Sequence, residues 1–329
     1  MTSKVHADGA QAVLSLVQPG LQHLEESLAE IAAPNDPLLG PLLATVLPGS
    51  GKRLRPALTL LIGRQSRANT EALNHMAAGV ELLHTASLVH DDVVDESDTR
   101  RGAATLFTRV GNALAVLVGD YLFSQAAQQC VATGNLDVVR LFAETLGAMA
   151  QGQIDEASTH AQGSHAWRRL SSEQYFRIVW GKTASLFVLA CQGTGILAGL
   201  APAQVAALRT YGESLGLAFQ VVDDILDFTS TEEALGKPVG SDLRQGTITL
   251  PVIVLRERAL ADGRFEKVFQ SGGVDEQVRL VQESGAIEAT YAEADRLVQT
   301  AVDALAALPP GVERTALADL AAYVTRRQH

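Results

Sequence analysis

Cysteine is almost missing. The two present, Cys130 and Cys191, lie in apolar stretches of a 329-residue chain, without the short spacing of a thiolate metal site. A disulfide scaffold is excluded and a reducing compartment, the cytoplasm, is expected. Positive charge is scarce as well: 26 Lys and Arg face 37 Asp and Glu, a net charge of −11. Such a chain has no overall attraction for nucleic acid, and an anionic substrate would need a local basic patch or bound cations. Strand signals are weak, because alternation is uncommon and β-branched residues are scattered among Ala, Leu, Gln and Glu. No internal repeat or low-complexity tract is present. The first residues, MTSKVHADGAQAVLSLVQPG, lack the charged start, apolar core and cleavage site of a secretory signal.

What is abundant is apolar side chain, 47% of the residues, ample for a core and too much for a disordered chain. Positions 183–208 carry no charge, long enough to raise the question of a membrane span. Gln192, Thr194, Pro202, Gln204 and several glycines interrupt that run, so a buried helix is expected and a transmembrane span is not. Long helices are expected at about 8–32, 70–96, 110–131, 135–160, 203–229 and 285–307. Ser171 with Gln174, and Ser230 with Glu233, fit capping boxes, and Gly236 follows the second as a stop. Four prolines from Pro34 to Pro48 break the early region, and Pro251 suits the first turn of a helix. The expected fold class is all-α: one large helical bundle, residues 1–329 forming a single domain.

Two acid clusters stand out. Near the end of the helix expected over 70–96 come Asp91, Asp92 and Asp95, with Glu96 and Asp98 beyond. Asp91 and Asp95 lie one turn apart on one face. Like charges there cost a few tenths of a kcal/mol, and the helix C-terminus is the wrong end for them. Local stability does not explain the pattern. A second copy, Asp223, Asp224 and Asp227, sits in FQVVDDILDF. One copy alone reads as a solvated helix end; two, each with apolar residues between the acids, point to carboxylates converging in a cavity. Their repulsion and desolvation then demand cations. Hard oxygen ligands, one or two per ion, suit Mg²⁺ carried with a substrate phosphate. His84 and His90 flank the first cluster without zinc-type spacing. The two acid walls are expected to face each other across Mg²⁺ and a diphosphate.

Basic residues near glycine could complete a phosphate site. GSGKRLRP holds Gly51, Lys52, Arg53 and Arg55; Arg100 and Arg101 follow the first acid cluster; Lys182 and Lys237 each follow a glycine. Neither Gly51-Lys52 nor Gly181-Lys182-Thr183 is a P-loop, since Val46 and Phe176 stand where that loop needs its first glycine.

With GKRLRP, HTASLVHDDVVDESDTRRG, GKTASLF, FQVVDDILDF and GKPVGSDLRQGTITLP in this order, the chain resembles the trans-isoprenyl diphosphate synthases, or polyprenyl synthetases, over nearly its whole length. The resemblance implies the isoprenoid synthase fold, with a deep central cavity. It implies that Asp91, Asp92 and Asp95 bind Mg²⁺ on an allylic diphosphate from one side, and Asp223, Asp224 and Asp227 from the other, with about three ions once substrate is bound. Arg100, Lys182, Thr183, Gln220 and Lys237 become contacts of the allylic diphosphate. Gly51, Lys52, Arg55, His84 and Arg101 match the isopentenyl diphosphate site. Asp91, Asp95, Lys182, Asp223 and Asp224 become the catalytic set, and a homodimer is the family's assembly.

Ala86 and Ser87, one turn before the first acids, are small where short-chain members often hold aromatic residues. They suggest an open shaft and a product longer than geranylgeranyl diphosphate, of about thirty to fifty carbons, each methylene burying about 0.8 kcal/mol. Leu117, Tyr121 and Phe123 are candidates for its floor. So oily a product is expected to leave slowly, with transient membrane contact. The alternatives are a farnesyl or geranylgeranyl synthase and a non-catalytic partner subunit. A terpene cyclase would usually lack the second DDxxD and would not need GKRLRP, and a head-to-head synthase fits the spacings less well.

Overall fold

A computed structural model describes residues 13–34, 36–47, 53–64, 68–100, 102–160, 166–231, 238–258 and 263–325. Helices dominate: α1 Gln18–Ala32, α2 Leu39–Val46, α3 Leu54–Arg64, α4 Thr70–Val94, α5 Leu106–Ala132, α6 Leu136–His160 and the short α7 Ala166–Arg169. Next comes α8, over 172–197, whose α segments are interrupted by π turns at Trp180–Ala184 and Leu189–Gly193. Then follow α9 Pro202–Thr229, α10 Ser241–Arg244, α11 Leu250–Arg258, α12 Arg264–Ser271, α13 Val274–Glu283, α14 Ala286–Ala304 and α15 Val312–Thr325. Among the described residues the only strands are β1 Thr99–Arg100 and β2 Ala103–Ala104, an antiparallel pair with Arg100 opposite Ala103.

The described chain divides into two compact units, 1–144 with 188–209 and 307–319, and 145–187 with 210–306 and 320–329. In the first, α4 and α5 pack together along their length. Helix α4 is buried nearly all round, from Leu73 through Met76, Leu82, Leu83, Ala86 and Val89 to Asp92, as its apolar composition requires. Asn69 starts it by accepting a hydrogen bond from the Glu71 N–H at 2.9 Å, a cap worth about 1 kcal/mol. Helix α5 breaks at Gly111, whose φ of 77° and ψ of 170° no helical residue adopts. In the second unit the fully buried Tyr211, Phe187 and Phe228 anchor the core.

Five of the six long helices expected from periodicity lie within a few residues of those observed; the one expected over 8–32 is interrupted by a turn at 16–17 and runs unbroken only from Gln18, with residues 8–12 outside the described residues. The Ser171–Gln174 capping box forms, with both hydrogen bonds present, and Pro251 occupies the first turn of α11. Glu233 of the second expected capping box, and Gly236 after it, lie outside the described residues. The uncharged run 183–208 is no continuous helix. It ends α8, turns at Gly199, with φ 62°, and begins α9 at Pro202, while 183–191 is buried throughout. Among the described residues one helix, Leu106–Ala132, is long and apolar enough to cross a membrane, and 28% of its apolar window is buried.

Candidate active site

The first acid motif forms the last turn of α4. Asp91 is half-buried, Asp95 is exposed at the C-cap, and Asp92 turns inward with 6% exposure. Arg100 on β1 donates from Nε to Asp92 Oδ1 at 2.7 Å. Burial pushes the Asp92 carboxyl above the ordinary carboxylate range; Arg100 opposes this and Asp95 adds to it, and the upward push prevails. The chain returns Arg100 to the helix through a tight loop. Glu96 takes a left-handed φ of 48°, Thr105 Oγ1 donates to the Ser97 carbonyl at 2.7 Å, and the Thr105 N–H donates to the Asp98 carbonyl at 3.0 Å. A partner charge on so short a tether limits the cost of burying Asp92, which unpaired would be several kcal/mol. Arg101 lies outside the described residues.

In the basic motif, Gly51 and Lys52 also lie outside the described residues. Arg53, one of the basic groups the sequence offered for a phosphate site, is instead turned inward. Its Nε and Nη2 donate to the Glu25 carboxylate at 2.7 and 3.1 Å, and its Nη1 donates to Glu81 Oε1 at 2.5 Å. Burial weakens the hold on its proton, but Glu25 and Glu81 outweigh burial and leave its pKa raised. One of the three cations of GKRLRP thus ties the start of α3 to α1 and α4. Arg55 in the first turn of α3 and His84 on α4 are half-buried. Ser87, half-buried, donates to the His84 carbonyl at 2.8 Å, and Ala86 is fully enclosed. Leu117 is 60% exposed on α5, so it does not close a cavity within this unit. Phe123 instead packs edge-on against His90, their centroids 5.1 Å apart.

The second motif lies deeper. Asp223 is half-buried, while Asp224 and Asp227 are 3% and 1% exposed. Asp224 accepts from the Tyr175 hydroxyl at 2.6 Å and from Gln220 Nε2 at 2.9 Å. Asp227 Oδ2 accepts from the Asp242 N–H at 3.1 Å. Burial, with the like charges of Asp242 and Asp223, holds the Asp224 carboxyl well above its ordinary value despite those donors.

Lys182 and Thr183 occupy the first π turn of α8, and its neighbours show why this turn is glycine-lined. A Cβ on Gly152 of α6 would lie 2.7 Å from the Lys182 nitrogen, one on Gly181 2.6 Å from the Ala148 carbonyl, and one on Gly216 of α9 2.6 Å from Ala184 Cα. Backbone therefore meets backbone on two sides of the turn. Lys182 Nζ pairs with Glu156 of α6, and Thr183 Oγ1 donates to Gln220 Oε1 at 2.9 Å. The structure thus unites Thr183, Gln220 and Asp224 in one hydrogen-bonded chain. Lys237 lies outside the described residues. Pattern reading missed Tyr175, Glu156, Glu81 and Asp242; the signal available for Tyr175 was its place one residue after the capping box.

Among the described residues no three His, Cys, Asp or Glu side chains converge as a ready-made metal cage. Each motif instead offers one or two accessible carboxylates. That donor set fits Mg²⁺, which takes few protein ligands and keeps its water or a substrate phosphate.

A model of the polyprenyl synthetase family matches residues 36–283. The chain is 35% identical to heptaprenyl diphosphate synthase component 2 of Geobacillus stearothermophilus, across 97% of this chain and 99% of that one. Two solved structures share its fold. The polyprenyl synthase of Caulobacter crescentus, complexed with calcium and isoprenyl diphosphate, has a TM-score of 0.89 and 32% identity, covering 97% of this chain and 98% of its own. A decaprenyl diphosphate synthase from Rhodobacter capsulatus has a TM-score of 0.86 and 35% identity, covering 98% and 99%. All three carry the names of prenyl-chain synthases. The chain belongs to the polyprenyl synthetase family.

Proposed function

We propose that the enzyme condenses isopentenyl diphosphate head-to-tail, 1'-4, with an allylic diphosphate, releasing a trans-polyprenyl diphosphate longer than geranylgeranyl diphosphate. The observation that carries this reading is likeness across almost the whole chain to heptaprenyl, octaprenyl and decaprenyl synthases, in a sequence that keeps both aspartate motifs.

Bound Mg²⁺ would neutralise charge growing on the departing diphosphate. Asp91 and Asp95, and in the other motif Asp223, are the accessible acids that would hold it; Asp92, Asp224 and Asp227 would add charge and hold each motif from inside. Arg100, Lys182, Thr183, Gln220 and Lys237 bind and orient the allylic diphosphate. Gly51, Lys52, Arg55, His84 and Arg101 bind isopentenyl diphosphate. Preorganised donors act most strongly where negative charge develops, here on the bridging oxygen as the allylic C–O bond breaks and both electrons leave with the diphosphate. The isopentenyl double bond attacks the allylic cation, and a proton passes to the released diphosphate. No protein nucleophile is needed.

Small side chains at Ala86 and Ser87 leave room for a lengthening tail. Because Ala86 is fully enclosed and Ser87 half-buried, Ser87→Phe is the cleaner test, and it should shorten the product. The enzyme acts as a homodimer. Support comes from the apolar rows left exposed on two helices: Val116, Leu117 and Val131 on α5, and Leu136, Ala143, Gly147, Ala150 and Ile154 on α6, with Leu136 81% and Ile154 61% exposed. Exposed apolar rows of this extent mark interaction faces.

The decisive experiment incubates the purified chain alone with labelled isopentenyl diphosphate, Mg²⁺ and allylic primers of increasing length, then separates products by chromatography. Products beyond geranylgeranyl support the reading; no turnover without a second chain would overturn it.

A further inference from the structure

Tyr175 takes no part in the reaction above, yet it is fixed as tightly as any residue near the second motif. It lies in the first turn of α8, directly after the Ser171–Gln174 capping box, with 4% exposure and its ring edge-on to Phe176 at 5.2 Å. Its hydroxyl donates to Asp224 Oδ2 at 2.6 Å, Gln220 Nε2 donates to Asp224 Oδ1 at 2.9 Å, and Thr183 Oγ1 donates to Gln220 Oε1 at 2.9 Å. Directions along this line are dictated by chemistry. An ionised carboxylate only accepts, so Gln220 must turn its amide nitrogen to Asp224 and its oxygen to Thr183. Reversing that amide would set its oxygen against Asp224 Oδ1 and take this donor from the carboxylate.

The far end is equally held, since Thr183 sits in the π turn whose backbone is pressed by Gly152 and Gly216. The near end is held by the phenol. Without it, one oxygen of a buried carboxylate loses its donor beside the like charges of Asp223 and Asp242, a site that must then rotate or draw its other donor away. Gln220, one turn before Asp224 on α9, is the group that would follow.

We propose that Tyr175 is a positioning residue for the allylic diphosphate: by anchoring Asp224 it sets the orientation of the Gln220 amide and, through it, of the Thr183 hydroxyl. This rests on the reading of Gln220 and Thr183 as diphosphate contacts.

The test uses the purified full chain with Mg²⁺, isopentenyl diphosphate and farnesyl diphosphate as primer. Tyr175→Phe removes one oxygen and should raise KM for farnesyl diphosphate about tenfold, while KM for isopentenyl diphosphate stays within about twofold. Thr183→Val, at the other end of the line, should raise the same KM, and the double variant should fall clearly short of the product of the two single effects. Calorimetric titration with farnesyl thiodiphosphate gives the same cycle as binding constants. Multiplicative effects, equal losses for both substrates or an unchanged farnesyl KM would each overturn the inference. Melting curves verify folding at the assay temperature. Should Tyr175→Phe not fold, it is compared within Asp224→Asn, where no buried charge is orphaned: no added loss of thiodiphosphate affinity supports the anchor, and a further loss refutes it. Asp223→Ala serves as reference. If it retains turnover, the proposed function itself fails; if it abolishes turnover while Tyr175→Phe leaves the farnesyl KM unmoved, only the positioning role fails.

Discussion

The two aspartate motifs share a sequence pattern and differ in how the protein treats their inner acid. Asp92 is answered by a full positive charge, Arg100 at 2.7 Å, delivered by a loop that follows at once in the chain. Asp224 is answered by neutral donors from 49 and 4 residues away, Tyr175 and Gln220, and is crowded by Asp223 and Asp242. One motif is a salt bridge with two accessible acids attached. The other is a buried negative centre that leans on hydrogen bonds, so added cations should relieve it more. A repeated motif therefore does not imply a repeated environment.

The largest test of this contrast is removal of the accessible acids. Asp223→Ala and Asp91→Ala should each lower turnover by about 10³-fold, the scale of losing one preorganised electrostatic contact, read by incorporation of labelled isopentenyl diphosphate. Stripping divalent ions with chelator should abolish turnover and restoring Mg²⁺ should recover it. Mg²⁺ with inorganic diphosphate at about 100 times the dissociation constant should add about 2.7 kcal/mol to stability, seen as a rise in melting temperature.

Packing around the π turn gives an intermediate effect. Gly152→Ala forces a methyl to within 2.7 Å of backbone, and should cost about 1–3 kcal/mol in chemical denaturation. A finer test sets the inner acids against each other in metal-free protein. Asp92→Asn strips Arg100 of its partner and should lower stability by about 1 kcal/mol, whereas Asp224→Asn relieves buried like charge and should raise it by about the same amount. Equal signs would erase the distinction. The smallest effect concerns the thiols. Burial pushes Cys130 up to about 12 and Cys191 higher still, so neither should react with a thiol reagent at pH 8 until the protein unfolds.

Much of the fold was legible because the long helices carry their own instructions. Ser171 announces a helix start, Pro251 sits in a first turn, and apolar periodicity fills the long spans. What escaped was non-local. The π turns of α8 depend on Gly152 and Gly216 arriving from other helices, so GKTA alone reads as plain helix or a broken P-loop. The β1–β2 pair is two residues long on each side, too short for any alternation to show. Residues 264–271 and 274–283 are helical but were not delimited in advance, because two to three turns are too short for their apolar spacing to stand out from that of a strand.

The site divides in the same way. Asp91, Asp92, Asp95, Asp223, Asp224 and Asp227 could be named from spacing alone, since like charges set amid apolar residues have no local justification. Which acid faces outward and which is locked inside could not, because burial and donor supply are set by Arg100, Tyr175 and Gln220 in folded space. The sequence by itself determined the helices, the acid motifs and the family, all consequences of residue order along one chain. Tertiary structure decided that Arg53 is bound inward to Glu25 and Glu81, that Lys182 is paired with Glu156 and that Asp224 is a hub, because pairings between distant residues exist only once helices have packed.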